Sequence, residues 1–241
     1  MAYTVPNVVA YDPAFAYEIA VIIKDGIRRM YVDQESIFYY LTVMNEQYAM
    51  PHMPEGAHDG ILKGLYRFSK TSHPEAPARA QLFGSGAILP EVIKAAEILE
   101  SKYNVGVDVW SITSYGELYR DGHACERWNM LHPTENPRVP YVSQCLHDAP
   151  GVFVAASDYL KALPDSIDRW LPRPLTALGT DGFGRSESRA SLREFFEVDY
   201  RYIVLATLGA LMRDGKIAPA IVEQAMKTHN ISADKSNPAT T

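Results

Sequence analysis

Residues 80 to 91 indicate the fold class; they read Ala80-Gln81-Leu82-Phe83-Gly84-Ser85-Gly86-Ala87-Ile88-Leu89-Pro90-Glu91. The apolar run from Ala80 to Phe83 has the length of a buried strand, and the glycines after it are typical of a tight turn. A helix is predicted next, because Pro90 and Glu91 suit a first helical turn. Apolar residues then recur on one helical face at Ile88, Val92, Ala96, Leu99 and Tyr103. Strand, turn and helix in this order form the repeating unit of an α/β domain.

The same alternation continues to residue 230. Strands are predicted at 107–113, 152–156 and 175–179, and helices at 114–130, 141–147, 159–171, 188–196, 200–213 and 219–229. Ser114 and Glu117 have the spacing of a capping box. Helical connections permit parallel neighbours, so we expect a three-layer α/β domain with a mainly parallel sheet covered on both faces. Residues 232–241 show no periodic apolar face.

Upstream of this domain, two strands at 5–11 and 37–44 flank a helix at 13–31, with Asp12 expected to cap that helix. A unit this small is marginal alone, so it is interpreted as the tail of a larger domain. The chain is accordingly divided into 1–46, a linker at 47–78 that contains a short helix at 57–64, and the α/β domain at 79–241. Phe15, Ile19, Ile22 and Ile23 exceed what two strands can cover, which predicts exposed apolar surface and self-association.

Composition excludes several partners. The 241 residues carry a formal net charge of −6, with no basic cluster, so nucleic acid and anionic membrane surfaces are not expected as partners. The longest apolar runs are about half the ~20 residues of a membrane span. Cys125 and Cys145 cannot build a disulfide framework and no signal peptide precedes them, which favours the cytoplasm.

Four groups of residues invite a functional interpretation. Gly84-Ser85-Gly86 lacks the third glycine of a dinucleotide-binding turn, since Leu89 stands there, so a plain turn is favoured. The metal-ligand types His123, Cys125 and Glu126 fall on different sides of a helix, so a metal site is not favoured.

The remaining two groups lie in Pro-rich and Gly-rich segments. Met50, His52 and Met53 are soft metal-ligand types, but the intervening prolines favour a rigid docking loop. Asp181 follows a strand between turn residues. It is either a carboxylate at the ligand-binding edge of the sheet or a turn residue that caps the next helix, and both interpretations stay open.

These segments resemble the single-chain, homodimeric type of decarboxylating component of bacterial pyruvate dehydrogenase complexes, a member of the transketolase-like superfamily. The resemblance runs from about Val5 to Pro238 and is carried by Tyr11 to Glu18, Asp25-Gly26, Met53 to Gly56, Gly84-Ser85-Gly86, Cys125 to Pro133, Pro137 to Tyr141 and Leu178 to Ser186. It implies the end of a pyrimidine-binding middle domain followed by a transketolase-type C-terminal domain.

The resemblance also implies a reaction and its missing parts. The family uses thiamin diphosphate and magnesium to decarboxylate pyruvate, and passes the acetyl fragment to a lipoyl group on the dihydrolipoyl acetyltransferase component. Its magnesium motif has no full counterpart, because Arg120-Asp121-Gly122 and Thr180-Asp181-Gly182 lack the first glycine. The family's activating glutamate and active-site histidines precede the matched segment. No catalytic, cofactor-binding or metal residue is therefore assigned, and neither cofactor is expected to bind this chain.

The expected role is that of a C-terminal fragment which serves dimerisation and supports an active site built by missing N-terminal and middle segments. Alone, it is expected to be inactive. Two alternatives stay open: one half of a split enzyme, active with a separately encoded N-terminal chain, or a non-catalytic assembly module. Pyruvate and 2-oxobutyrate are not distinguished as substrates of the whole enzyme.

Overall fold

The computed structural model describes residues 4–241 and begins with a small unit of two strands and a helix. Strands β1 (Val8–Tyr11) and β2 (Phe38–Leu41) pair in parallel, and α1 (Ala16–Ile27) connects them and ends in a π-helical turn, Arg28–Val32. Asp12 does not cap α1, which corrects the sequence prediction. The N–H groups of Ala14 and Phe15 instead donate to the Glu18 carboxylate.

The rest of the chain forms one five-stranded sheet. Its strands are β3 (Leu65–Ser69), β4 (Ala78–Gly84), β5 (Val105–Ile112), β6 (Val152–Ala156) and β7 (Leu175–Leu178), in the order β3-β5-β4-β6-β7. The β4–β5, β4–β6 and β6–β7 pairs are parallel, and β3 joins β5 antiparallel. The predicted mainly parallel α/β sheet is confirmed.

Helices cover both faces of this sheet, because successive strand residues point to opposite sides. Leu82 and Val109 pack on one side with α3 (Leu89–Tyr103), α8 (Tyr200–Arg213) and α9 (Pro219–Thr228). Phe83 and Phe153 pack on the other side with α4 (Tyr115–Leu131) and α5 (Tyr141–Leu146). Both faces are therefore cores, and the three-layer architecture follows.

The described part of the chain also contains three short α-helices, and one of them corrects a prediction. They are α2 (Ala57–Lys63), α6 (Ala162–Asp165) and α7 (Arg189–Phe195). The helix predicted at 159–171 is wrong, because it is broken into α6 and a 3-10 turn, Asp168–Trp170. Pro164 has no N–H for a continuing helix, and the Asp168 carboxylate accepts the N–H of Leu175 at 2.7 Å.

The sequence predicted no strand between residues 45 and 77, and β3 shows that this was wrong. The sequence of β3 lacks the alternation of buried and exposed residues that identifies a strand, because Leu65 and Tyr66 are both buried and the register shifts between Arg67 and Ser69. The division of the chain at 46 and 78 stays a prediction. The Phe68 ring of β3 stacks on Phe15 with centroids 5.3 Å apart, so this strand covers apolar surface of the small unit.

The prediction that large apolar side chains in and just before α1 are exposed is correct only in part. Phe15 and Ile22 are 2% and 0% exposed, which contradicts the expectation for those two side chains. Ile23 and Ile27 are 47% and 53% exposed, and Tyr40 on β2 is 59% exposed. Apolar surface therefore remains on the outer side of the small unit. Within residues 4–241, no helix combines the length and apolar character needed to cross a membrane.

Candidate functional site

The carboxyl ends of β4 and β6 form the crevice where open α/β sheets usually bind ligands. The chain leaves β4 toward α3 on one face and leaves β6 toward α6 on the other, so the two loops diverge above neighbouring strands. Such a switch point opens a crevice at the strand ends. Here the crevice contains Asp12, the residue that follows β1 of the small unit.

Asp12 is hydrogen-bonded to the ends of three sheet strands. Its N–H donates to the carbonyl of Thr113 after β5 at 2.7 Å, and its carbonyl accepts the N–H of Gly86 after β4 at 3.1 Å. Its Oδ1 accepts the hydroxyls of Thr42 at 2.5 Å and of Tyr159, after β6, at 3.5 Å. We call the contacts that Asp12 and Glu18 make with the five-stranded sheet the junction; those of Glu18 are described below.

A glycine allows Asp12 to approach this closely. Gly86 has φ +46°, and a Cβ at this position would lie 2.5 Å from Oδ1 of Asp12. Among the described residues, the buried Oδ2 of Asp12 and the buried Oγ of Ser85 reach no partner with hydrogen-bond geometry. Burial raises the pKa of the Asp12 carboxyl, the hydroxyl of Thr42 opposes the rise, and the nearby Asp158 adds to it.

Glu18 is the second carboxylate of the junction and is fully buried. Its Oε2 accepts the N–H groups of Ala14 and Phe15, and its Oε1 accepts the hydroxyls of Tyr66 at 2.6 Å and Ser111 at 2.7 Å. Burial raises the pKa of Glu18 against these hydrogen bonds. Glu18 thereby connects the start of α1 to β3 and β5.

Sequence reasoning missed the role of Glu18, although a signal was present. Phe15, Ile22 and Gly26 mark the buried stripe of α1, and position 18 lies on the same stripe at spacings of three and four. A glutamate on an apolar stripe needs partners, since a buried charge without them is costly. That pattern identifies a buried acceptor but not its partners on β3 and β5.

Asp181 does not cap the helix that follows it, which corrects one of its two interpretations. Its Oδ1 accepts the N–H of Lys161 at 3.2 Å, and its Oδ2 lies 3.8 Å from the Lys161 ammonium. The carboxylate thus fixes the segment before α6. Asp181 therefore follows β7, but its carboxylate is bound by Lys161 of the same chain.

The three metal-ligand types on α4 do not converge. His123 Nδ1 lies 3.4 Å from Oε2 of Glu126, Glu126 also accepts from the Trp170 indole at 2.9 Å, and Cys125 is buried. Among residues 4–241, no group of three or more His, Cys, Asp or Glu side chains could hold a metal ion. Met50 and Met53 are 52% and 42% exposed, and their docking-loop interpretation stays a prediction.

The two strings nearest to a magnesium and diphosphate motif do not fit such a group. The Asp121 carboxylate accepts the N–H of Tyr141 at 2.6 Å, and a Cβ on Gly122 would lie 2.5 Å from the Trp170 ring. Asp181 is held by Lys161 as described. Both carboxylates support loops of the fold, and this chain offers no cradle for a metal-bound diphosphate at either string.

The fold and the junction together define a class of protein: a three-layer α/β domain whose usual ligand edge is closed by an appended α/β unit of the same chain. Sequence comparison gives the family. Residues 64–199 match the transketolase-like TK C-terminal domain, and residues 1–51 match the pyruvate dehydrogenase E1 component middle domain. The chain belongs to the transketolase-like family through this C-terminal domain.

Its sequence relatives are pyruvate dehydrogenase E1 components. That of Escherichia coli K12 is 52% identical over 98% of this chain, and that of Pseudomonas aeruginosa is 49% identical over 99%. The matches cover 26% and 27% of those proteins, so the chain spans about a quarter of their length.

Solved structures agree on the fold alone. Transketolase from Leishmania mexicana has a TM-score of 0.57 and 16% identity, covering 88% of this chain and 26% of that one. The inactive beta4 tetramer of a split-gene transketolase has a TM-score of 0.54 and 16% identity, covering 88% of this chain and 60% of that one.

Proposed function

We propose that this chain is the supporting C-terminal part of a pyruvate dehydrogenase that decarboxylates pyruvate and acetylates lipoyl groups. The identity of 52% over 98% of the chain to part of the Escherichia coli E1 component is the observation that carries this proposal. The carboxylates of Asp12, Asp121 and Asp181 support it, because all three are hydrogen-bonded by groups of the chain itself.

In the whole enzyme, thiamin diphosphate and magnesium supply the decarboxylation chemistry and are held by other segments. This chain binds neither and is inactive alone. The whole enzyme works in the cytoplasm as a homodimer with the dihydrolipoyl acetyltransferase component, linking glycolysis to acetyl-CoA. Nucleic acid and membranes are not partners.

The outer side of the small unit is the surface on which this role depends. Ile23, Ile27, Tyr31, Phe38 and Tyr40 are between 47% and 76% exposed there. A two-stranded sheet with one helix is a small support for so much apolar surface, and such surfaces usually meet a partner. We assign it to the remaining segments of the middle domain and to a twofold contact with a second copy.

Complementation tests the proposal directly. A truncated Escherichia coli E1 component that lacks the matched quarter is co-expressed with this chain, and co-purification, sedimentation and pyruvate-dependent decarboxylation are measured. We expect a complex that sediments as a twofold pair of both pieces and recovers turnover, while each piece alone is inactive. Ile27→Glu should abolish association, whereas the matched change Ile221→Glu on α9 should leave it intact.

The outcomes separate the alternatives. Turnover of the isolated chain, or micromolar thiamin diphosphate binding to it by calorimetry, contradicts the supporting role. Association without recovered turnover favours the non-catalytic assembly module. Recovered turnover from two separate chains shows that a split enzyme is workable, and the reading frame upstream of residue 1 then decides between fragment and half-enzyme.

A further inference from the structure

A cavity of about 260 Å³ opens beside the junction, at the carboxyl ends of β6 and β7. Asp158 enters it after β6, Thr180 after β7, and Arg185 from the Gly-rich loop that follows. Met44, Leu192 and Val198 contribute apolar wall. The site lies at the edge of the sheet where α/β folds bind ligands, but the chain does not fill this part of it.

Two of the three arginines that line the cavity are already committed. Arg193 pairs with Glu46 at 2.5 Å and with Glu91 at 3.3 Å. Arg189 lies 3.7 Å from Glu46 and donates to the Asn45 side chain. Their charges are balanced by these partners, so they build the wall and are not free to take a ligand.

Asp158 and Arg185 are different. Both residues are exposed, and among residues 4–241 the structure gives neither the Asp158 carboxylate nor the Arg185 guanidinium a hydrogen bond or ion pair of its own. Arg185 rests on the Phe195 ring at 4.6 Å, which fixes the guanidinium while leaving its N–H groups available. Burial raises the pKa of Asp158, and Arg193 opposes the rise, as expected of a carboxylate without a close cationic partner.

We propose that this cavity binds a small zwitterion of the amino-acid type. Its ammonium pairs with Asp158 and its carboxylate pairs with Arg185. An aliphatic side chain then lies on Met44, Leu192 and Val198. The cavity volume of about 260 Å³ lies just below the range of about 300 to 1,000 Å³ that is usual for drug-sized molecules. It therefore suits a ligand that is smaller than those molecules, such as an amino acid. One unpaired charge of each sign in one cavity selects a zwitterion over a simple anion.

Isothermal titration of the full chain tests this with L-leucine as the probe. Two analogues each lack one charge: 4-methylpentanoate has no ammonium, and 3-methylbutylamine has no carboxylate. We expect saturable leucine binding, with each analogue at least about tenfold weaker, as the loss of a charged hydrogen bond implies. Failure of leucine to saturate below about 1 mM overturns the proposal. Equal binding of all three compounds, or saturable binding of inorganic phosphate alone, overturns it as well.

Substitutions locate the site. Asp158→Asn and Arg185→Gln should each weaken leucine binding about tenfold or more while leaving the urea midpoint unchanged. Asp148→Asn and Arg127→Gln make the same chemical changes at exposed positions outside the cavity and should bind leucine like the parent chain. Leucine binding that survives both cavity substitutions places the ligand elsewhere and contradicts the assignment.

Discussion

Asp12 and Asp158 stand near neighbouring strand ends of the same sheet and have opposite surroundings. Asp12 accepts hydroxyls from Thr42 and Tyr159, and its backbone closes the β4–β6 crevice. Asp158 faces a cavity and has none of these contacts. Desolvation raises the pKa of both carboxyls, although Asp158 is exposed and Asp12 is half-buried.

The difference lies in which donors the chain itself supplies. Where the small unit brings Asp12 and its neighbours into the crevice, the carboxylate is used for docking two parts of the chain. Where no segment enters, Asp158 keeps its capacity to accept. Before a carboxylate at the ligand-binding edge of an α/β sheet is assigned a ligand, the hydrogen-bond donors that its own chain supplies must therefore be identified.

The largest expected effect comes from the junction at Glu18. Glu18→Ala leaves four buried donors without their acceptor, those of Ala14, Phe15, Tyr66 and Ser111. We expect the free energy of unfolding to fall by about 3–5 kcal/mol, measured by urea denaturation at pH 7. Glu97→Ala, on the exposed side of α3, should change it by less than about 0.5 kcal/mol. Equal effects of the two substitutions would show that the junction is not held by its buried carboxylate.

A smaller effect is expected from Gly86. Gly86→Ala combines a positive φ with a Cβ that overlaps the Asp12 carboxyl, so a loss of about 2–4 kcal/mol is expected in the same assay. Gly215 also has a positive φ, of +69°, but a Cβ there meets nothing within 4 Å. Gly215→Ala should therefore cost only about 1 kcal/mol. The difference between the two glycines isolates the contact with Asp12 from backbone strain.

The smallest effect concerns pH. Because the folded pKa of Asp12 is raised, its stabilising contribution is complete below the ordinary aspartate pKa of about 3.9 and declines as pH rises through the raised value. The stability of the parent chain relative to Asp12→Asn should therefore be lower at pH 8 than at pH 4.5. Urea midpoints at both pH values measure it.

Asp234→Asn, the same chemical change at an exposed position far from the junction, is the matched control for this experiment. It should change the unfolding free energy by no more than about 0.5 kcal/mol at either pH. A relative stability of Asp12→Asn that does not change with pH contradicts a raised pKa at the junction.

The α/β alternation downstream of residue 78 could be predicted because its signals are local. The apolar strand Val152–Ala156 is visible in the sequence and present in the structure. Of the predicted capping box only one half forms: Ser114 Oγ accepts the N–H of Glu117, whereas the Ser114 N–H donates to the Gly64 carbonyl. Strand β3 could not be predicted, because Leu65 and Tyr66 do not alternate and the pairing with β5 is settled by residues far along the chain. The cap predicted at Asp12 was wrong for the same reason. Asp-Pro is a good local helix start, but the Asp12 side chain accepts hydrogen bonds from Thr42 and Tyr159, which are distant in sequence.

The candidate site was even less accessible from sequence. Glu18 shows itself as a charge on an apolar stripe, yet its partners at Tyr66 and Ser111 are 48 and 93 residues away. The cavity at Asp158 is defined by loops after β2, β6 and β7 and by α7. Loops carry little periodic signal, so their meeting at one edge is visible only once the sheet order is known.

Ser114 contacts a residue that is distant in sequence, and this contact has a consequence for how the protein folds. Its hydroxyl donates to the carbonyl of Ala10, 104 residues earlier, while it also accepts the N–H that starts α4. Contacts between distant parts of a chain close large loops and form slowly compared with local strand–helix pairs. Strand β1 is thus secured on the larger sheet late in folding, because a nascent chain cannot make this contact until residue 114 has emerged.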